Sequence, residues 1–379
     1  PMTMHHNPQI VVPEQVQDLT TVYYPLRSSG TLDFILLGDQ IYRYSRDRAW
    51  LQRQMPALRR AGEALTAWID SEGLFFSDSY DLDQVYREID GVAQASAHLA
   101  FQCLAALEAA SGNPAGRAGW EDWAARLRRG AARHFWDERR GYYLEHLAYR
   151  NLARLPGSTA LASSHLDGMH TPALAHDGIL GLGIDAFGVR TGVGGRHEWA
   201  ATEGSRPWLQ LRLSRPETVS RVLLFNRTDP QLTAADRFAE GYLEFSDGSP
   251  RVPVRFHRHG VSRAEARFSP RRVAWIRFTG TRLQGEPATG VPARPGLSEV
   301  IVLPAADPYQ PFARGMTDTN MAMVAFGGAD ERRAQRVWRE FRRREDAFYT
   351  VGSLRAPTWI AERAVDYGPA DLNKRAPYK

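Results

Sequence analysis

Apolar residues recur along this chain at two different periods, and the change from one to the other divides it into three stretches. After Thr31, a good helix-capping residue, Leu32, Ile35, Leu36 and Ile41 fall at helical spacing towards Asp47. Leu51, Met55, Leu58, Leu65 and Trp68 keep that period to Ile69, with Pro56 expected to kink the run or to begin a new first turn. A third helix is predicted from Val92 to Ala110 and a fourth through Trp120, Trp123, Leu127, Ala131 and Phe135. Short connections between them predict antiparallel helical hairpins.

From Asn151 the period becomes two. Trp208 to Leu213 alternates, as do Gly241 to Phe245, Val252 to Phe256, Ala264 to Phe268 and Val273 to Phe278, and Leu297 to Leu303 closes the series. Short strands separated by Pro, Gly, Asp and Ser predict an antiparallel β-sandwich, with a tight hairpin at Asp247-Gly248. Helical spacing returns at Thr317, through Met321, Val324 and Ala325, then Ala334, Val337, Trp338 and Phe341. The expected organisation is a helical part over 1–150, a β-sandwich over 151–304 inserted into it, and a second helical segment over 305–379.

Composition narrows the function little. The 379 residues carry 48 Lys and Arg against 43 Asp and Glu, for a net charge of +5. Lys374 and Lys379 are the only lysines, and the signs are interspersed, which argues against a nucleic-acid surface. The basic run Arg332 to Arg344 is interleaved with Glu331, Glu340, Glu345 and Asp346, as on a solvated helix face. Cys103 is the single cysteine, so an intrachain disulfide is excluded; its apolar helical setting makes it a core residue. No run is long and apolar enough for a membrane span, no signal-peptide pattern shows at Pro1 to His6, and the ends read as those of a truncated chain. No CxxC, HExxH or GxSxG arrangement occurs, and glycine-rich 188–195 lacks the strand–helix context of a phosphate loop.

Two sets of motifs resemble known families. Asn151-Leu152-Ala153, Thr159 to Ser164, His176-Asp177-Gly178, Glu198-Trp199-Ala200, Pro207 to Leu211, Phe245 to Ser249 and Gly296 to Val300 resemble, in that order, the core of discoidin-type (factor V/VIII C-like, galactose-binding-like) sandwiches. Asp39 through Tyr44 to Leu51, Asp70 to Leu74 and Ala322 to Ala329 resemble helix pairs of six-hairpin glycosidases, the (α/α)6 barrels of rhamnosidase-, trehalase- and glucoamylase-like enzymes. The two resemblances together imply a glycoside hydrolase, or a fragment of one, with an inserted carbohydrate-binding module acting on oligo- or polysaccharide. They favour an extracytoplasmic setting. A glycan-binding protein without catalysis is the alternative, and a polysaccharide lyase a third reading.

Glycosidic hydrolysis needs one carboxyl as acid and a second as base or nucleophile, with no metal. Ser77 to Gly91 concentrates carboxylates: Asp78, Asp81, Asp83, Glu88 and Asp90, with Tyr80, Tyr86 and Arg87 between them. Glu88 and Asp90 are the preferred catalytic pair, followed by Asp81 and Asp83; Tyr80, Tyr86 and Arg87 are candidates for holding sugar. A solvated acidic loop would show the same composition. Asp33 and Asp318 read either as substrate-binding carboxylates or as helix-start residues facing the dipole. The discoidin resemblance implies sugar contacts from inter-strand loops, here Trp199, Arg227, Asp229 and Arg237, although Trp199 reads equally as core. It also implies a calcium ion held by Asp177 and Glu299 with backbone carbonyls. His176 to Gly181 departs from the polar continuation usual in that loop. His170 and His176 fall in the sandwich and are not expected to be catalytic.

Overall fold

The computed structural model describes residues 29–76, 79–81, 84–86, 89–178, 198–202, 206–227, 233–258, 262–287, 289–311, 315–343 and 348–349. They fall into two compact units, one built from 29–148 and 311–349, the other from 149–310.

The first unit carries six α-helices: α1 (Ser29–Ser45), α2 (Arg48–Thr66), α3 (Gly91–Ser111), α4 (Pro114–Gly130), α5 (Thr317–Ala325) and α6 (Glu331–Arg343). A short π-helical turn, Ala131–Phe135, extends α4. The helix α3 is the hub, packed on α1, α2, α4 and α5. That position buries even its polar residues, so each is tied. Gln94 accepts from Phe75 N and donates to Gly73 O and Leu127 O. Glu108 takes the Arg59 guanidinium at two distances of 2.7 Å. Paired in this way, buried polar groups avoid the desolvation cost of an orphan. Asp47 caps α2 through Trp50 N at 2.9 Å, and α2 continues through Pro56 without a break in assignment. The closed (α/α)6 toroid implied by the sequence is not seen among the described residues, which hold these six helices.

The second unit is antiparallel. Its strands are β1 (Thr159–Ala162), β2 (Trp199–Ala200), β3 (Trp208–Asn226), β4 (Phe238–Phe245), β5 (Val252–Arg255), β6 (Arg263–Leu283) and β7 (Gly296–Pro304). They hydrogen-bond in the order β5-β4-β6-β3-β7-β2, and β1 pairs with the first part of β3. The expected strand lengths were too short: β3 has 19 residues and β6 has 21. Their ladder shifts register between Arg267 and Arg271 and between Val273 and Trp275. Pro270 falls in the first interruption, and Pro216 lies on β3 opposite the second, where the missing amide breaks no ladder bond. Residues from both halves of the two strands, among them Leu211, Val222, Ala264 and Phe278, share one apolar core. The sheet therefore wraps on itself as a sandwich. The β4–β5 hairpin turns at Gly248, whose φ of +71° suits glycine.

No described helix is long and apolar enough to cross a membrane.

Candidate functional site

At one end of the sandwich the loops before β3, before β4 and before β7 meet the end of β6. Two long-range side-chain anchors hold them. Asn226, wholly buried at the end of β3, accepts from Phe238 N at 2.9 Å and donates to Phe238 O at 2.8 Å. This amide stands in for a strand partner and fixes where β4 begins. Next to it, Arg227 donates through Nε and Nη2 to Glu198 Oε1 at 2.9 and 2.7 Å, and through Nη1 to Arg294 O at 2.7 Å. Both side chains of this ion pair are nearly inaccessible, 1% and 2% exposed. Asp236, in a capping box with Thr233, accepts from Arg294 N at 2.8 Å, and Ala201 N donates to Pro295 O at 2.8 Å. The proline-rich loop before β7 is thus tied down at its C-terminal end.

An open pocket of about 460 Å³ lies between these loops. The buried ring of Phe238 and the side chains of Leu283, Val291 and Pro292 give it an apolar wall. Thr202, Arg206, Thr281 and Arg282 supply hydrogen-bonding groups. Gly280 belongs to the lining for a steric reason: a Cβ there would lie 2.2 Å from the Phe238 ring. Arg282 is shared with Glu240, at 2.9 Å. An apolar wall with a few polar groups around it is the usual build of a small-ligand site.

Three of the residues expected to touch sugar do other work. Trp199 is fully buried in the sandwich core and donates from Nε1 to Ser164 O at 2.9 Å, so it is packing rather than a stacking platform. Arg227 is consumed by Glu198 and Arg294 and acts as an anchor. Arg237 is likewise buried, its Nε donating to Arg227 O at 3.3 Å. Asp229 lies outside the described residues. Sequence reasoning missed Thr202, Arg206, Phe238 and Thr281. The prolines at 287, 292 and 295 were the visible signal of a stiff loop there.

The described residues include part of the acidic segment of the helical unit. Ser79–Asp81 and Gln84–Tyr86 pair as a hairpin, with Tyr80 opposite Val85 and Asp81 opposite Gln84, so Tyr80, Asp81 and Tyr86 are placed by their backbone. Asp78, Asp83, Arg87 and Glu88 lie outside the described residues. Asp90, expected to be one of the catalytic pair, is a helix cap: it is buried, and Oδ1 accepts from Ala93 N at 2.7 Å. Asp33 sits half-buried in the first turns of α1, and Asp318 is buried at the start of α5.

The expected calcium residues do come together. Glu299, on β7, is buried; Oε2 accepts from Gly178 N at 3.0 Å and Oε1 from Asn151 Nδ2 at 3.2 Å. Burial pushes its carboxyl well above the usual range. The Gly178 amide opposes this, neighbouring Asp177 adds to it, and Arg154 opposes it. Two further oxygens of the loop are also engaged. Asn151 Oδ1 accepts from Ala153 N at 3.0 Å and Val302 N at 2.9 Å, and His176 Nδ1 lies 3.0 Å from Ala153 O. Calcium asks for six to eight oxygens at about 2.3–2.6 Å. Here N–H groups already point at both Glu299 oxygens and at Asn151 Oδ1.

Residues 151–303 match a family model described as "Domain of unknown function (DUF7402)". No curated protein matches the chain. Similar solved structures cover the sheet unit and are carbohydrate-binding modules. Chitosan-binding module 1 of a chitosanase/glucanase from a Paenibacillus species is 21% identical, spans 41% of this chain and 98% of its own, and has a TM-score of 0.27. The lectin domain of lectinolysin, complexed with Lewis B antigen, is 20% identical over 41% of this chain and 97% of its own, with a TM-score of 0.30. The family 32 module of C. perfringens NanJ, in complex with galactose, is 15% identical over 41% and 94%, with a TM-score of 0.29.

Proposed function

We propose that the sheet unit binds glycan in the loop-end pocket, with Thr202, Arg206 and Thr281 meeting sugar hydroxyls and the Phe238–Val291–Pro292 wall covering the C–H face of a ring. The observation that carries this reading is the pocket itself: about 460 Å³, enough for one or two sugar rings, with polar groups on one side and an apolar wall on the other. Glycan binding is also what the printed names of the similar modules describe, and an extracytoplasmic setting is where such ligands are met.

Hydrolysis asks more than the described residues supply. It would draw on Glu88 and Asp83, which lie outside them, on Asp81, placed by its backbone alone, and on Asp90, whose Oδ1 caps α3. Binding is therefore the reading put forward. Probing an array of oligo- and polysaccharides with the whole chain tests it. Retention on a defined group of glycans, weakened at least tenfold by Arg206→Ala, is expected. Absence of retention on every glycan class would overturn it.

A further inference from the structure

The loop-end pocket carries charge of one sign. Arg206 and Arg282 reach its lining from two segments, the loop before β3 and the end of β6, and no Asp or Glu is among the described residues that line it. Carboxylates on the elements around it are already committed. Glu198 takes the buried Arg227 guanidinium. Asp236 accepts from Thr233 through Oδ2 and from Arg294 N through Oδ1. Glu240 Oε1 accepts from Arg282 Nη2 at 2.9 Å and lies 3.8 Å from Arg255 Nε, so two guanidinium groups share one carboxylate. Glu286, beside Pro287, is exposed and is not part of the lining, and Glu203 and Asp229 lie outside the described residues. Arg206 itself is exposed and makes no ion pair among the described residues. A cleft lined by one sign of charge and walled in part by apolar groups focuses its field on whatever enters.

We propose that this pocket selects acidic glycans: the carboxylate or sulfate of a sugar meets the Arg206 guanidinium, Arg282 adds to the attracting charge, and the apolar wall covers the ring. The proposal rests on the glycan-binding reading above and names the class of sugar within it. An arginine suits the task because its planar fork can donate two N–H groups to two oxygens of one acid group, and such charge-assisted bonds are stronger than those to a neutral hydroxyl. A neutral sugar offers Arg206 hydroxyls alone, and a protonated amino sugar would meet like charge. Uronic acids and sulfate esters share the chemistry that Arg206 recognises, and the probes below separate them.

The test is affinity of the whole chain for matched acidic and neutral polysaccharides: polygalacturonate and its methyl ester, hyaluronan and its carboxyl-reduced form, dextran sulfate and dextran. The acidic member of at least one pair is expected to bind about tenfold or more tightly than its neutral partner, as a bond to a charged group exceeds one to a neutral group. Preference within the carboxylate pairs, or within the sulfate pair, supports the proposal and names the acid. Arg206→Ala should reduce that preference to about threefold or less, and Arg206→Lys should keep more of it, since the charge survives without the fork. Arg339→Ala removes the same charge from an exposed position on α6 and should leave the preference unchanged. An equal reduction in Arg339→Ala would show net charge, rather than the pocket, to attract the acid, and would overturn the proposal. Equal affinity for both members of every pair, or binding confined to neutral glycans, would also overturn it and leave glycan binding standing. Failure to bind any glycan, acidic or neutral, would instead defeat the underlying reading, and the proposal with it.

Discussion

Arg227 separates two accounts of the loop end, because a residue that touches sugar and a residue that anchors loops respond differently to removal. Arg227→Ala deletes three hydrogen bonds, two to Glu198 and one to Arg294 O, and leaves the Glu198 carboxylate 2% exposed with its guanidinium partner gone. Breaking a buried pair in this way costs about 3–5 kcal/mol. At roughly 2–4 °C per kcal/mol for a unit of this size, the Tm should fall by about 6–20 °C. Calorimetry of the whole chain measures the loss, and amide exchange over 198–227 and 289–295 locates it. The companion is Arg227→Met with Glu198→Leu, which removes both charges and should recover most of the lost stability. If Arg227 is an anchor, glycan affinity returns with stability in that double variant. Affinity that stays lost while the fold recovers would restore Arg227 as a direct contact. A fall below about 2 °C in Arg227→Ala would refute the ion-pair reasoning altogether.

Other outcomes follow from the same geometry. Asp90→Ala should destabilise the helical unit by about 0.5–2 kcal/mol through the lost cap on Ala93 N, measured by urea unfolding; any catalytic turnover of the chain should survive Asp90→Asn. Trp199→Ala should cost about 3–5 kcal/mol as a core cavity, whereas Trp199→Phe, losing mainly the bond to Ser164 O, should cost less. His98 is held below the usual imidazole range, mainly by burial, with the Ala124 carbonyl at 2.8 Å working the other way. The unfolded chain then takes up this proton first, so its share of stability is present above about pH 6.5 and drains away as pH falls towards the folded value. In His98→Gln the decline of stability below that pH should be shallower; an unchanged slope would contradict the assignment.

Much of the fold was legible because burial imposes a period. Leu209, Leu211 and Leu213 alternate because one side of β3 faces the core, and Leu99, Cys103 and Leu107 are spaced by the helical turn. The continuity of β3 and β6 was hidden by Pro216 and Pro270. A proline normally ends a central strand, but both fall at register shifts where no ladder bond is required of them. The role of Asp90 could have been read, since an acid three residues before a helical amide is a capping signal. The pocket could not: Thr202, Phe238, Thr281 and Pro292 come from four segments brought together by the sheet order. No local pattern marks residues whose only relation is through tertiary structure. Arg227 gave a misleading signal, because a charge at the end of an apolar strand looks exposed until Glu198 is found opposite it.

Calorimetric titration of the best-retained glycan into the wild type and into Arg206→Ala/Thr281→Ala tests the central claim most directly, since both side chains line the pocket and neither belongs to the core. The account predicts saturable binding to the wild type, at least tenfold weaker binding to the double variant, or about 1.4 kcal/mol, and an unchanged Tm. Equal affinity in both proteins would place the glycan elsewhere and contradict the account.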